Sequence, residues 1–152
     1  MKYFRFLPFL LCAALFGCLN SGPLVQPFMG ILDAYKIGNG PAETSQYQVV
    51  VHYEDVVPGK YEVKVGFGYI PTAEDVKIFA QDALGIYAVA HTEVLQKQAG
   101  DLRLTLDPSV VRNLQGKLDG KIHAILSKYP HGKEWPTVKH DVFVLPPQSM
   151  TQ

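Results

Sequence analysis

Two stretches of this chain alternate so strictly that they leave the backbone little choice. In QYQVVVHYED, Tyr47, Val49, Val51 and Tyr53 share one parity, and in KYEVKVGFGY so do Tyr61, Val63, Val65, Phe67 and Tyr69. A period of two sends successive side chains to opposite faces of a strand, so each stretch has one apolar face to bury. Between them, VVPGK supplies Pro58, which presets φ, and Gly59, which tolerates the positive φ of a type II turn. The pattern predicts a β-hairpin with His52, Glu54, Glu62 and Lys64 on a solvated outer face carrying cross-strand charge pairs. Gly66 and Gly68 share the face opposite Val65 and Phe67, which points to close approach of another backbone or to a bulge. The GFG run lacks the strand-to-helix setting and the third glycine of a nucleotide-binding loop.

The rest of the body reads in the same way. DLRLTLD alternates with Leu102, Leu104 and Leu106 on one side. Asp107 then offers an N-cap oxygen, Pro108 suits the first helical position, and SVVRNLQG gives a short helical turn over residues 108–115. After the turn signal LDGK, the segments KIHAILSK and TVKHDVFVL predict a second hairpin across YPHGKEWP. TAEDVKIFAQDALG is open to two readings. Thr72 and Asp75 fit a helix capping box with Val76, Phe79, Ala80 and Ala83 on one face, whereas period two gives strands in DVKIFAQ and GIYAVAHTEVLQ joined at DALG. Strands are preferred, because they complete an all-β, immunoglobulin-like antiparallel sandwich of about seven strands.

The N-terminus has another character. Lys2 and Arg5 precede an apolar run from Phe6 to Phe16, broken only by Pro8. The run is shorter than the roughly 20 residues of a membrane-spanning helix and has the layout of a signal peptide. It closes on Leu15, Phe16, Gly17 and Cys18, which resemble the lipobox of bacterial lipoproteins. The resemblance implies removal of residues 1–17 and acylation, including palmitate-type chains, of Cys18 as the new N-terminus. An ordinary cleaved signal peptide and an uncleaved anchor are the competing readings. Cys12 and Cys18 are the two cysteines of the chain, so a disulfide framework or cysteine metal site is excluded for the body. By the same resemblance, Leu19 in the position where inner-membrane lipoproteins often carry Asp implies an outer-membrane destination facing the periplasm.

Without Lys2 and Arg5, twelve of the fourteen basic residues remain against fourteen acidic ones. That balance gives no basic stripe for nucleic acid. Residues 18–45 read as a lipidated N-terminus and flexible tether able to dock one short apolar segment, residues 46–146 as the sandwich domain, and 147–152 as a disordered tail.

Chemistry finds few footholds. There is no Gly-x-Ser-x-Gly elbow and no catalytic cysteine, and Ser109 is accounted for by the helical turn, so no enzyme activity and no cofactor is expected. Among the five histidines, His123 and His140 fall on one face of the second hairpin if it is centred near Gly132. As a neutral imidazole pair they could hold zinc or copper(II), although alternation sends Asp141 to the opposite face. The plainer reading is a pair of half-buried polar side chains with backbone partners. Trp135, with Tyr129 and His131, forms an aromatic group on the long hairpin loop, suited either to contacting a protein partner or to plugging the end of the sandwich.

The order of elements resembles small lipoproteins of the pilotin and YbaY-like type: leader, tether, strand, Pro-Gly turn, strand, Asp-Pro step and closing hairpin. That resemblance implies a non-enzymatic envelope protein, anchored through Cys18, that binds another protein in an assembly or scaffold role. A periplasmic metal or small-ligand binder using His123 and His140 is the alternative.

Overall fold

The structure, a computed structural model, describes residues 25–72, 80–82, 85–111, 117–130 and 137–146, with the backbone alone at 80–82, 110 and 111. The strands are β1 (Phe28–Ile37), β2 (Gln46–Glu54), β3 (Tyr61–Ile70), β4 (Ala80–Asp82), β5 (Gly85–Val94), β6 (Gly100–Leu106), β7 (Lys117–Lys128) and β8 (Thr137–Val144). They form a three-stranded sheet in the order β1-β2-β6 and a five-stranded sheet in the order β4-β5-β3-β7-β8. Every described pairing is antiparallel. The result is the antiparallel, immunoglobulin-like sandwich that the alternation implies, with the 3-10 turn Pro108–Val111 at the expected place.

The apolar parities meet in the middle. Tyr47, Val49, Val51 and Tyr53 of β2 and Leu104 and Leu106 of β6 face Val63, Val65, Phe67 and Tyr69 of β3 and Ile122, Ala124 and Leu126 of β7, all buried in one core. The rings of Tyr47 and Phe67 meet edge to face across the two sheets, with centroids 5.3 Å apart and planes at 67°. Burial, then Glu43 and Tyr69, pushes the Tyr47 hydroxyl up to about 12. It stays a donor at neutral pH, and its O–H reaches the Ala42 carbonyl at 3.0 Å in a 3-10 turn, Ala42–Thr44.

The expected β2–β3 hairpin does not form. The turn is as read, with Gly59 at φ +73° and the Lys60 N–H donating to the Val57 carbonyl, but it carries the chain from one sheet to the other. Both edges of β2 are taken by β1 and β6, and both edges of β3 by β5 and β7. Val56 is buried in the connection, its N–H donating to the Gln98 carbonyl, while the Gly59 N–H donates to the Leu95 carbonyl. Two strands with one apolar face each can bury those faces side by side or face to face. Here they do so face to face.

The boundary of the domain also moves. β1 lies within the segment read as tether and pairs with β2 along its length, so the sheet begins at Phe28 rather than near residue 46. A bulge between Ile31 and Asp33 bends β1 toward β8. There the Ile31 N–H donates to Asp141 Oδ2 at 2.7 Å, tying the edges of the two sheets together.

The second hairpin forms as expected, β7 on β8, with His123 opposite Val142 and Ile125 opposite His140. LDGK is no turn between elements but an irregularity inside β7. Asp119 Oδ1 accepts the Lys121 N–H at 2.9 Å, Gly120 takes φ +79°, and the pairing with β3 slips between Phe67 and Tyr69. In the ambiguous middle, Ala80–Asp82 pairs with Gly85–Tyr87 as a strand; residues 73–79 and 83–84 lie outside the described residues. Asp107 caps as expected, its Oδ1 accepting the Ser109 N–H at 2.8 Å. The tail expected at 147–152 also lies outside the described residues.

Candidate functional site

Inward parity on β3 and β7 leaves Glu62, Lys64, Gly66, Gly68, His123, Ile125 and Ser127 on the outer face of the five-stranded sheet. The register places Glu62 opposite Ser127 and Gly66 opposite His123. This face is not simply solvated. His123 is 0 % exposed and Glu62 3 %, which corrects the expectation that Glu62 and Lys64 lie open to water. Lys64 Nζ stands 2.9 Å from Glu62 Oε1, an ion pair in which each charge offsets the other's lost hydration.

His123 and His140 come together as the alternation implies. Their Nδ1 and Nε2 atoms are 3.0 Å apart, and the Tyr87 ring stacks on His123 at 5.0 Å and 25° while meeting His140 edge-on at 5.3 Å. Tyr87 reaches this place because β5 sets it opposite Gly68. Gly85, at φ +138°, lies against the His123 ring; an added Cβ would only touch the imidazole, and it is the positive φ that disfavours a side chain there. One nitrogen of the bridge must donate and the other accept. A metal replacing the bridging proton needs nitrogens about 3.3 Å apart for tetrahedral zinc. That is a small opening from the observed spacing. Asp141 points to the opposite face as expected, and among the described residues no third His, Cys, Asp or Glu completes a cluster.

The GFG glycines meet the expectation of close approach. A methyl at Gly66 would overlap the Ala88 carbonyl, beside a bulge between Val65 and Gly66, and one at Gly68 would overlap the Asp119 carboxylate.

The outer face of the three-stranded sheet is of another kind. Both ring nitrogens of His52 face carboxylate oxygens, which can only accept, Asp101 at 2.7 Å and Glu54 at 2.9 Å. These hydrogen bonds, Asp101 first and Glu54 second, raise its pKa above the ordinary value. A raised folded pKa means that the stabilising contribution is fully present below the unfolded value of about 6.5 and is lost as pH rises through the folded value. Urea midpoints should therefore fall across that window, and His52→Gln should flatten the fall. An equal slope in the variant would show that His52 is not its source. Beside His52 runs an apolar row on β1: Phe28, Leu32, Tyr35 and Ile37 are all exposed.

Of the partner-contact residues read from the sequence, Tyr129 is half-exposed at the end of β7, its N–H donating to the Lys60 carbonyl at 2.8 Å. His131, Trp135 and Cys18 lie outside the described residues. Sequence reading missed Tyr87 and Gly85, because GIYAVAHTEV is apolar on both parities and only the pairing of Tyr87 with Gly68 reveals its place over His123. No protein-family model and no curated protein matches the chain.

Proposed function

We propose that this chain is a bacterial envelope lipoprotein, anchored by acyl chains on Cys18, whose β-sandwich binds a protein partner without catalysing a reaction. The supporting observation is the order of the N-terminal residues. A basic start, a short apolar run and Leu15-Phe16-Gly17-Cys18 are followed, ten positions after the cysteine, by the first strand of the sandwich. One acyl chain holds a protein only marginally, whereas two or three anchor it stably, each buried methylene adding about 0.8 kcal/mol. Cys18→Ser should therefore transfer the protein from the membrane fraction to the soluble fraction, or trap it with its leader uncut. A variant that is processed and stays in the membrane fraction contradicts the anchor. For the partner, crosslinking in cells should recover one protein with the wild type and much less of it with Trp135→Ala. Recovery of the monomer alone counts against partner binding.

The 3.0 Å approach of His123 and His140 favours a second reading, a periplasmic binder of zinc or copper(II). Titration of the metal-free protein should then give a Kd of about 1 μM or tighter, abolished by His123→Ala. No uptake dismisses this reading.

A further inference from the structure

From the outer face of β1 we infer an interaction surface: Phe28, Leu32, Tyr35 and Ile37 lie against the lipid bilayer that holds the anchor. The inference rests on acylation of Cys18. Ten large apolar side chains are exposed among the described residues, and five of them, Val25, Phe28, Leu32, Tyr35 and Ile37, fall in one stretch of thirteen residues. The other five are spread over different elements, at Val57, Ile70, Val89, Tyr129 and Val144. Phe28, Tyr35 and Ile37 sit opposite Glu54, Gln48 and Gln46 on the solvent face of β2, and Leu32 is the extra residue of the bulge. Phe28, Tyr35 and Ile37 therefore form a row on one side of an edge strand, with Leu32 exposed beside them at the bulge, and core packing uses none of the four.

The chain leading to β1 selects the occupant. From Cys18 to Phe28 there are ten steps, which reach at most about 36 Å when fully extended and about 17 Å as a flexible coil. β1 itself is about 33 Å long for its ten residues. A tether of that length makes β1 the described strand closest to the bilayer along the chain and presents its face to lipid at high effective concentration, so that weak interfacial affinity suffices. The composition fits an interface. Aromatic and aliphatic side chains stand beside one acid and one base on the strand, Asp33 and Lys36, and Lys139 Nζ sits 6.0 Å from the Phe28 ring centroid. With charge balanced on the strand, contact is apolar and depends little on salt. Phosphatidylethanolamine and phosphatidylglycerol vesicles are the matching probe.

Acylation consumes Cys18 and cleavage removes Cys12, so a cysteine placed in the body is the sole free thiol of the mature protein. The acylated full chain carrying Asp33→Cys, on the apolar face, or Thr92→Cys, exposed on β5 opposite Lys64 on the outer face of the other sheet, is labelled with an environment-sensitive dye. Each is reconstituted in vesicles containing nitroxide-labelled phospholipid. The label at 33 should be quenched about two-fold or more and the label at 92 hardly at all. Adding Tyr35→Asp should reduce the quenching at 33, and raising NaCl from about 0.1 to 0.5 M should not. Equal, weak quenching at both positions overturns the inference. So does shielding at 33 that grows with protein concentration without quenching, which is the result for a second copy or a protein partner on this face. Intact mass of the same sample separates the premises. Acylated protein without quenching removes the surface alone, whereas a cleaved but unacylated Cys18 removes the anchor and the surface with it.

Discussion

Phe67→Ala should destabilise the sandwich by about 3–5 kcal/mol, measured as a lowered urea midpoint at unchanged slope. Phe67 is 1 % exposed at the centre of β3 and closes the gap between the sheets against Tyr47. Its removal loses the transfer energy of the ring, leaves a cavity that β-sheet backbones cannot collapse around, and breaks an edge-to-face pair worth about 0.5–1.5 kcal/mol beyond its buried area. With total stabilities of about 5–15 kcal/mol for a domain, this one change removes a large fraction of the total. Tyr47→Phe keeps the ring pair and loses only the hydrogen bond to Ala42, so it should cost about 1 kcal/mol. Similar costs for the two substitutions would mean that the rings do not hold the sheets together.

Gly66→Ala should cost about 3 kcal/mol or slightly more, at the upper end for overpacking. The added methyl meets the carbonyl of Ala88, a backbone atom held in the β3–β5 ladder, so the strands themselves must part. Gly68→Ala meets the end of a side chain, the Asp119 carboxylate, which can swing aside at the expense of its bond to the Lys121 N–H. Its cost should be smaller, about 1–2 kcal/mol. The ranking is the test. Equal stability of Gly66→Ala and the wild type would place the β5 backbone farther from β3 than described.

The same two glycines show what was legible in the sequence. Period-two parity assigned each inward residue of β2, β3 and β6 correctly, because burial on one face of a strand is a local property of the chain. Gly66 and Gly68 stood out for the same reason, as gaps in an otherwise filled face. What local pattern does not carry is which strands pair. Tyr47–Tyr53 and Tyr61–Tyr69 could lie side by side or opposite, and the turn at Pro58–Gly59 serves both arrangements; the filled edges of β2 and β3 decide it. β1 escaped notice because FMGILDAYKI has a bulge at Leu32 that breaks its alternation, and because apolar residues on its outer side blur the parity. The histidine pair was half legible. Alternation placed His123 and His140 on one face and Asp141 on the other, whereas the lid of Tyr87 and the space beside Gly85 depend on the register of β5, a strand distant in sequence.

Acyl chains on Cys18 are proposed to hold this sandwich at a membrane. Mass spectrometry of the protein isolated from its own cells tests it most directly. The expected result is an N-terminal peptide that begins at Cys18 and carries the added mass of two or three acyl chains with their glyceryl link. A peptide that begins elsewhere, or one that begins at Cys18 with a bare thiol, would contradict it.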